Sequence, residues 1–262
     1  MVEKNLQRLC GIAQAAGQEI MAVYEQGGAT WQKADTSPLT EADLRADQVI
    51  RQGLETAFPG VYILSEESRS AGEQPGDAFF LVDPLDGTKE FLSRNGEFTV
   101  NIALVQDDCV KAGVVFAPAL GELFYAALGH GAWFSHLSDT ASQLQVQPWQ
   151  APHSLRVIGS RSHGGEKLAA WLATLTCDHS VVAAGSSLKF CRIAQGRADI
   201  YPRFGPTSQW DTAAGQCVLE LAGGAVLDLA GEPLRYGIQR PLLNPEFVAQ
   251  GRIIGQLPAF LF

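Results

Sequence analysis

Ala78-Phe79-Phe80-Leu81-Val82 runs without a break into Asp83-Pro84-Leu85-Asp86-Gly87-Thr88. The apolar run reads as a short buried strand. Asp83 and Asp86 then stand at the strand's end, close enough to raise each other's pKa unless a positive charge lies between them. Hard oxygen donors of this kind suit Mg²⁺. Gly87 and Thr88 turn the chain into a short helix through Phe91, and the N–H groups at a helix start suit a phosphate. Strand end, paired carboxylates and anion-binding turn together point to metal-assisted phosphate chemistry.

Working outward, Leu6, Leu9, Cys10, Ala13, Gly17, Ile20 and Tyr24 recur at helical spacing. Residues 25–38 are polar and contain glycine. Thr40 then stands as an N-cap with Asp43 in capping-box position. Ala42, Ala46, Val49, Ile50, Gly53, Leu54 and Ala57 line one face of the helix that follows, which Pro59-Gly60 ends. A strand over 61–64 leads into Ser65-Glu66-Glu67-Ser68, and 69–77 reads as a loop. After the acidic turn, 98–105, 110–116 and 122–127 form an antiparallel meander, with a further short strand at 132–134. Residues 138–154 are polar, with Pro148 and Pro152, and a boundary is placed at 150. Beyond it strands (155–159, 180–184, 198–201, 225–229) alternate with helices (165–175, 187–196, 211–222). The expectation is a mixed α+β fold: a 1–150 lobe carrying the acidic motifs and the antiparallel sheet, and a 151–262 lobe that closes the site, the two acting as one unit.

The chain has 262 residues, 46% of them hydrophobic, so a sizeable core is expected. A formal charge of −9 argues against nucleic acid as a partner; a small anion remains acceptable if cations receive it. The five cysteines are scattered and form no C-x-x-C, as expected of thiols in a reducing cytoplasm. The opening Met1-Val2-Glu3-Lys4-Asn5 lacks the apolar core of a secretory leader, and no apolar run reaches membrane-spanning length. A cytoplasmic protein without an integral membrane segment is expected.

Several residues carry two readings. Glu66 and Glu67 read either as a solvated acidic turn or as a metal ligand; their side chains point oppositely on extended chain, so at most one faces the metal, and adjacent strands of one sheet would bring Glu66 beside Asp83. Asp211 opens a helix and reads equally as an N-cap or as a metal carboxylate from the other lobe. Asp43 either closes the capping box or acts as the base that polarises a water, with Thr88 as hydroxyl relay. Ser186, Lys189 and Arg203 supply polar and cationic groups, and the planar fork of Arg203 suits phosphate. Among the histidines, His163 in Gly159–Gly165 is the one to watch; none has metal-ligand spacing.

Glu66-Glu67, Asp83–Thr88 and Trp210-Asp211-Thr212-Ala213-Ala214-Gly215, in this order, resemble the inositol monophosphatase superfamily of Mg²⁺-dependent, Li⁺-sensitive phosphatases. Within it, Asp86–Phe91, Ser186–Lys189 and Tyr201–Gly205 are similar to the 3′(2′),5′-bisphosphate nucleotidases, most closely the bacterial CysQ type. The resemblance covers essentially the whole chain and implies a five-layered αβαβα sandwich. It implies Mg²⁺, two or three ions, held by Glu66, Asp83, Asp86, Asp211 and the Leu85 carbonyl. Asp43 and Thr88 would activate the attacking water. Gly87 and Thr88 would hold the scissile phosphate, and His163, Ser186, Lys189 and Arg203 the nucleotide. The implied reaction removes the 3′-phosphate of adenosine 3′,5′-bisphosphate, a by-product of sulfate assimilation, with 3′-phosphoadenylyl sulfate as a further substrate. Relatives are monomers or homodimers, and peripheral association with the inner membrane stays open. The rivals are an inositol or sugar phosphatase, from which Lys189 is expected to distinguish this chain, and a non-catalytic nucleotide-binding module.

Overall fold

The computed structural model describes residues 2–32, 38–68, 76–137, 139–160, 165–255 and 257. Helix α1 (Val2–Gln26) buries Leu6, Leu9, Ala13, Ile20 and Val23 along one stripe. A small hairpin, β1 (Thr30–Gln32) with β2 (Pro38–Thr40), stands where only polar chain was expected. Helix α2 (Glu41–Ala57) starts on the anticipated capping box of Thr40 and Asp43 and turns Ala42, Ala46, Ile50 and Leu54 inward.

The next strands are β3 (Tyr62–Ser65), β4 (Ala78–Asp86), β5 (Thr99–Gln106), β6 (Cys109–Ala117), β7 (Glu122–Ala127), β8 (Gly131–His136) and β9 (Ser142–Gln143), with the short helix α3 (Thr88–Leu92) between β4 and β5. They form one sheet in that order, β3 parallel to β4 and every later pair antiparallel. Both faces are covered, which explains the unbroken apolar run of β4. Phe80, Val82, Ile102 and Val114 pack under α1 and α2, while Phe79, Leu81, Ala103 and Val115 face the other way. The acidic motif lies inside this ladder, not beyond it: β4 continues through Asp86, with its register broken between Asp83, opposite Asn101, and Asp86, opposite Thr99. Pro84 sits in that break, where no ladder donor is needed.

The second half contributes β10 (Pro148–Gln150), β11 (Leu155–Gly159), α4 (Gly165–Ala173), β12 (His179–Ala183), α5 (Leu188–Ala194), β13 (Ile200–Arg203), α6 (Gln209–Leu221), β14 (Ala225–Asp228), β15 (Phe247–Gln250) and β16 (Arg252–Ile254). A second sheet runs β12-β11-β13-β15-β14, and β10 pairs with β16. Helices α5 and α6 lie between the two sheets: Leu188, Phe190, Ala213, Ala214 and Cys217 share one core with Phe124 of the first sheet and Tyr201 and Phe247 of the second. Helix α4 covers the far side through Leu168 and Trp171. The layers are therefore α1/α2, sheet, α5/α6, sheet, α4, the expected αβαβα sandwich.

Several boundaries move. Helix α6 begins at Gln209 with Ser208 as its N-cap, so Asp211 is the third helical residue and closes a capping box; the N-cap reading of Asp211 is corrected accordingly. Helix α5 is shorter than 187–196. Most of the loop expected over 69–77 lies outside the described residues.

The middle layer approaches the first sheet closely at Gly113 of β6. A Cβ there would meet the Ala214 carbonyl oxygen at 2.8 Å and Cys217 Cβ at 2.8 Å. Gly113→Ala is expected to destabilise by about 1–3 kcal/mol through overpacking. The readout is a lower urea midpoint at unchanged slope; an unchanged midpoint would mean that α6 can shift away at no cost.

Candidate active site

A cavity of about 300 Å³ opens where the end of β4, the start of α3, the turn before α5, the end of β13 and the first turn of α6 meet. Glu66, Asp83, Leu85, Asp86, Gly87 and Thr88 line it from the first half of the chain, and Ser186, Lys189, Arg203 and Asp211 from the second. Every one of these was singled out from the sequence. Asp43 is 2% exposed and not part of the wall. Its Oδ2 accepts from the Thr40 amide at 2.8 Å and the Thr40 hydroxyl at 2.6 Å, so the capping-box reading is realised. It is still near enough for its charge to act on Asp83. His163 lies outside the described residues.

Three carboxylates of the wall, Asp83, Asp86 and Asp211, are pinned alike. Asp83 Oδ1 accepts from the Leu85 amide at 3.1 Å. Asp211 Oδ2 accepts from the Ser208 amide at 2.8 Å. Asp86 Oδ2 accepts from the Ser186 hydroxyl at 2.6 Å and the Ser187 amide at 2.7 Å. In each case the other oxygen takes none of the hydrogen bonds among the described residues. Burial pushes the Asp83 carboxyl well above the usual carboxylate range, and the charges of Glu66, Asp86, Asp211 and Asp43 push it further. Asp211 is pushed up to about 8, by burial first and then by Asp86, against the opposing Ser208 amide.

This donor set is all hard oxygen, as Mg²⁺ requires. Among the described residues no three acids are gathered into a ready-made ion cage. That agrees with how Mg²⁺ is held, through a few carboxylates together with waters and substrate phosphate oxygens. One oxygen on each of three carboxylates without a protein donor, and a repulsion that a cation would relieve, both fit such an ion.

Lys189 and Arg203 also hold backbone. Lys189, 6% exposed, donates from Nζ to the Ser186 carbonyl at 2.7 Å and the Ala184 carbonyl at 3.2 Å. Burial lowers its pKa to about 8, although Asp86 pulls the other way. Arg203 donates to the carbonyls of Gly205 at 3.1 Å and Pro206 at 2.9 Å. Truncating Lys189 would therefore loosen the turn before α5 as well as remove a charge, and Lys189→Ala is a poorer discriminator of substrate than its charge suggests.

Other residues escape a linear reading. Asp47 accepts from the hydroxyls of Ser65 and Ser68, each at 2.5 Å, clamping the turn that carries Glu66. Asp47 lies four residues after Asp43 in α2, an acid on the inward face that burial alone would flag. Glu97 Oε2 accepts from the Gly185 amide at 2.8 Å. Ser187 and Asn101 join the partners of Asp86.

Residues 1–259 match the model of the Inositol monophosphatase family. A curated 3′(2′),5′-bisphosphate nucleotidase CysQ of Salmonella typhimurium is 46% identical over 247 residues, 92% of this chain and 98% of that protein. The crystal structure of CysQ from Bacteroides thetaiotaomicron superposes with a TM-score of 0.81 at 37% identity, covering 95% of this chain and 97% of the other. The suhB protein of Bartonella henselae gives 0.79 at 27% identity, covering 94% and 93%.

The raised carboxyl pKa values fix a stability trend. Acids held above their unfolded values are more readily ionised in the unfolded chain, so in chelator stability falls as pH rises from about 4 towards 8. Asp83→Asn in chelator is expected to melt higher than wild type at pH 7.5 and to lose most of the rise in melting temperature that Mg²⁺ gives. A variant that melts no higher than wild type in chelator and responds to Mg²⁺ like wild type would remove Asp83 from the ion site.

Proposed function

This chain belongs to the inositol monophosphatase family, and on that premise we propose that it is a 3′(2′),5′-bisphosphate nucleotidase, which removes the 3′-phosphate of adenosine 3′,5′-bisphosphate to give AMP and phosphate. The observation that carries the reading is the 46% identity with the Salmonella nucleotidase over 92% of the chain, too much of it to omit either wall of the cavity. 3′-Phosphoadenylyl sulfate, which bears the same 3′-phosphate, is included as a second substrate. A cytoplasmic setting belongs to the same reading; among the described residues no helix is long and apolar enough to cross a membrane.

Glu66, Asp83, Asp86, Asp211 and the Leu85 carbonyl would hold two or three Mg²⁺ ions. Bound there, Mg²⁺ supplies positive charge to the phosphate oxygens and lowers the pKa of the attacking water. Thr88 lines the cavity and the buried Asp43 is near enough to act on Asp83, which supports a relay: the Thr88 hydroxyl would take the water's proton as its own passes towards Asp43. Water oxygen bonds to phosphorus, the bond to the ribose 3′ oxygen breaks, and that oxygen takes a proton from a second, solvent water. Gly87 has φ +90, and a Cβ there would crowd Glu90 Oε2 at 3.3 Å and Ser186 Cβ at 3.4 Å, so only glycine lets the backbone turn beneath the phosphate. Lys189 and Arg203, on the opposite wall, would receive the second phosphate of the nucleotide, which an inositol monophosphate lacks. The 1–150 and 151–262 lobes thus act as one catalytic unit.

Phosphate release from adenosine 3′,5′-bisphosphate and from inositol 1-phosphate, compared with Mg²⁺ and with added Li⁺, is expected to favour the nucleotide strongly and to be suppressed by Li⁺. The reverse preference would sink the nucleotide assignment and leave the metal site standing. Asp43→Asn is expected to lower kcat by about 10²-fold or more while keeping its Mg²⁺-dependent stabilisation; unchanged turnover would take Asp43 out of proton transfer.

A further inference from the structure

Asp86 is held by more donors than Asp83 or Asp211. The amide of Ser187 lies 2.7 Å from Oδ2, its hydroxyl 3.0 Å, and the Ser186 hydroxyl 2.6 Å. The Ser187 hydroxyl is also 2.8 Å from the backbone carbonyl of Asp211. Asn101 on β5 donates Nδ2 to Ser187 Oγ at 2.9 Å and reaches Asp86 Oδ2 at 3.3 Å. A serine hydroxyl has one proton and two acceptor sites. With Asn101 filling one acceptor site, the proton is directed to Asp86 or to the Asp211 carbonyl. Ser187, 1% exposed, thus stands between the two carboxylate-bearing segments that come from opposite halves of the chain.

The backbone that presents Ser187 is strained and tied down from several sides. Ser186 has φ +53, a left-handed conformation that is uncommon for a residue other than glycine. Lys189 holds the Ser186 carbonyl and Glu97 the Gly185 amide. A Cβ on Gly185 would fall 2.5 Å from the Glu97 carbonyl oxygen. Strain of this kind persists where surrounding bonds over-determine it, and here it delivers two consecutive residues to one carboxylate oxygen.

We infer that Ser187, oriented by Asn101, is a positioning residue for the metal site: its amide holds Asp86 Oδ2, its one hydroxyl proton goes either to that oxygen or to the Asp211 carbonyl on the first turn of α6, and it so sets the affinity for Mg²⁺. The inference rests on the metal-site reading above. Partners of this kind around a metal carboxylate are worth about 10–100-fold in metal affinity.

Calorimetric titration of Mg²⁺ into wild type, Ser187→Ala and Ser187→Thr, with melting curves in chelator and in Mg²⁺, tests it. Ser187→Ala is expected to bind Mg²⁺ about 10-fold more weakly or worse. Its KM for the nucleotide at saturating Mg²⁺ should stay near wild type, and its melting temperature in chelator within a few degrees of it. Ser187→Thr, which keeps the hydroxyl, should recover most of the affinity. Wild-type Mg²⁺ affinity in Ser187→Ala, or a loss that Ser187→Thr does not recover, would overturn the inference while leaving the metal site intact. Wild type that neither binds Mg²⁺ nor gains stability from it would overturn the metal-site reading itself, and the inference with it. Should Ser187→Ala not fold, Ser187→Cys, with its weak S–H donor, carries the same comparison.

Discussion

Mutual repulsion among carboxylates set closely around the buried Asp83 is the constraint around which this protein is arranged. Asp83 is 1% exposed and feels four other acids. Taking such a group out of water is costly even alone. The molecule manages the cost by anchoring one oxygen of Asp83, Asp86 and Asp211 on protein donors, which fixes the acids against recoil, and by setting all three residues around a cavity that a cation can enter. The negative formal charge of the whole chain is then no obstacle to an anionic substrate, since local cations and ions mediate the encounter.

The layers explain why these acids meet at all. Asp83 and Asp86 come from the end of a strand covered on both faces, and Asp211 from a helix that serves both sheets at once. Lys189 and Arg203 contribute charge while bonding the carbonyls of the turns they stand on. The side chains that line the cavity also hold the backbone around it, so few of these residues can be replaced without disturbing a neighbour.

Much of this was legible in the linear chain, for physical reasons. A continuous apolar run marks a strand buried on both faces, and Thr40 with Asp43 marks a helix start; both signals are local, and both are realised. Acids at strand ends in one sheet converge, so Glu66, Asp83 and Asp86 could be grouped. The hairpin of β1 and β2 could not be read, since its first strand is wholly exposed and carries no apolar alternation. Ser208 was overlooked as N-cap because Asp211 offers the same chemistry three residues later. Asp47, Asn101 and Ser187 are ordinary polar residues until their partners, far away in sequence, are placed beside them.

Strands β4 to β9 pair in the order in which they leave the ribosome, each with its neighbour. Short loops close at low entropic cost, so these hairpins are favoured early in folding. Asp211 reaches the cavity only when α6 docks between the sheets, which requires a much longer excursion of chain. Asp211 is therefore the last acid to be brought to the others, and its share of the electrostatic penalty falls on late docking instead of on the nucleus. Divalent cations in the surroundings would act on that final step, leaving the hairpins of the first sheet to form without them.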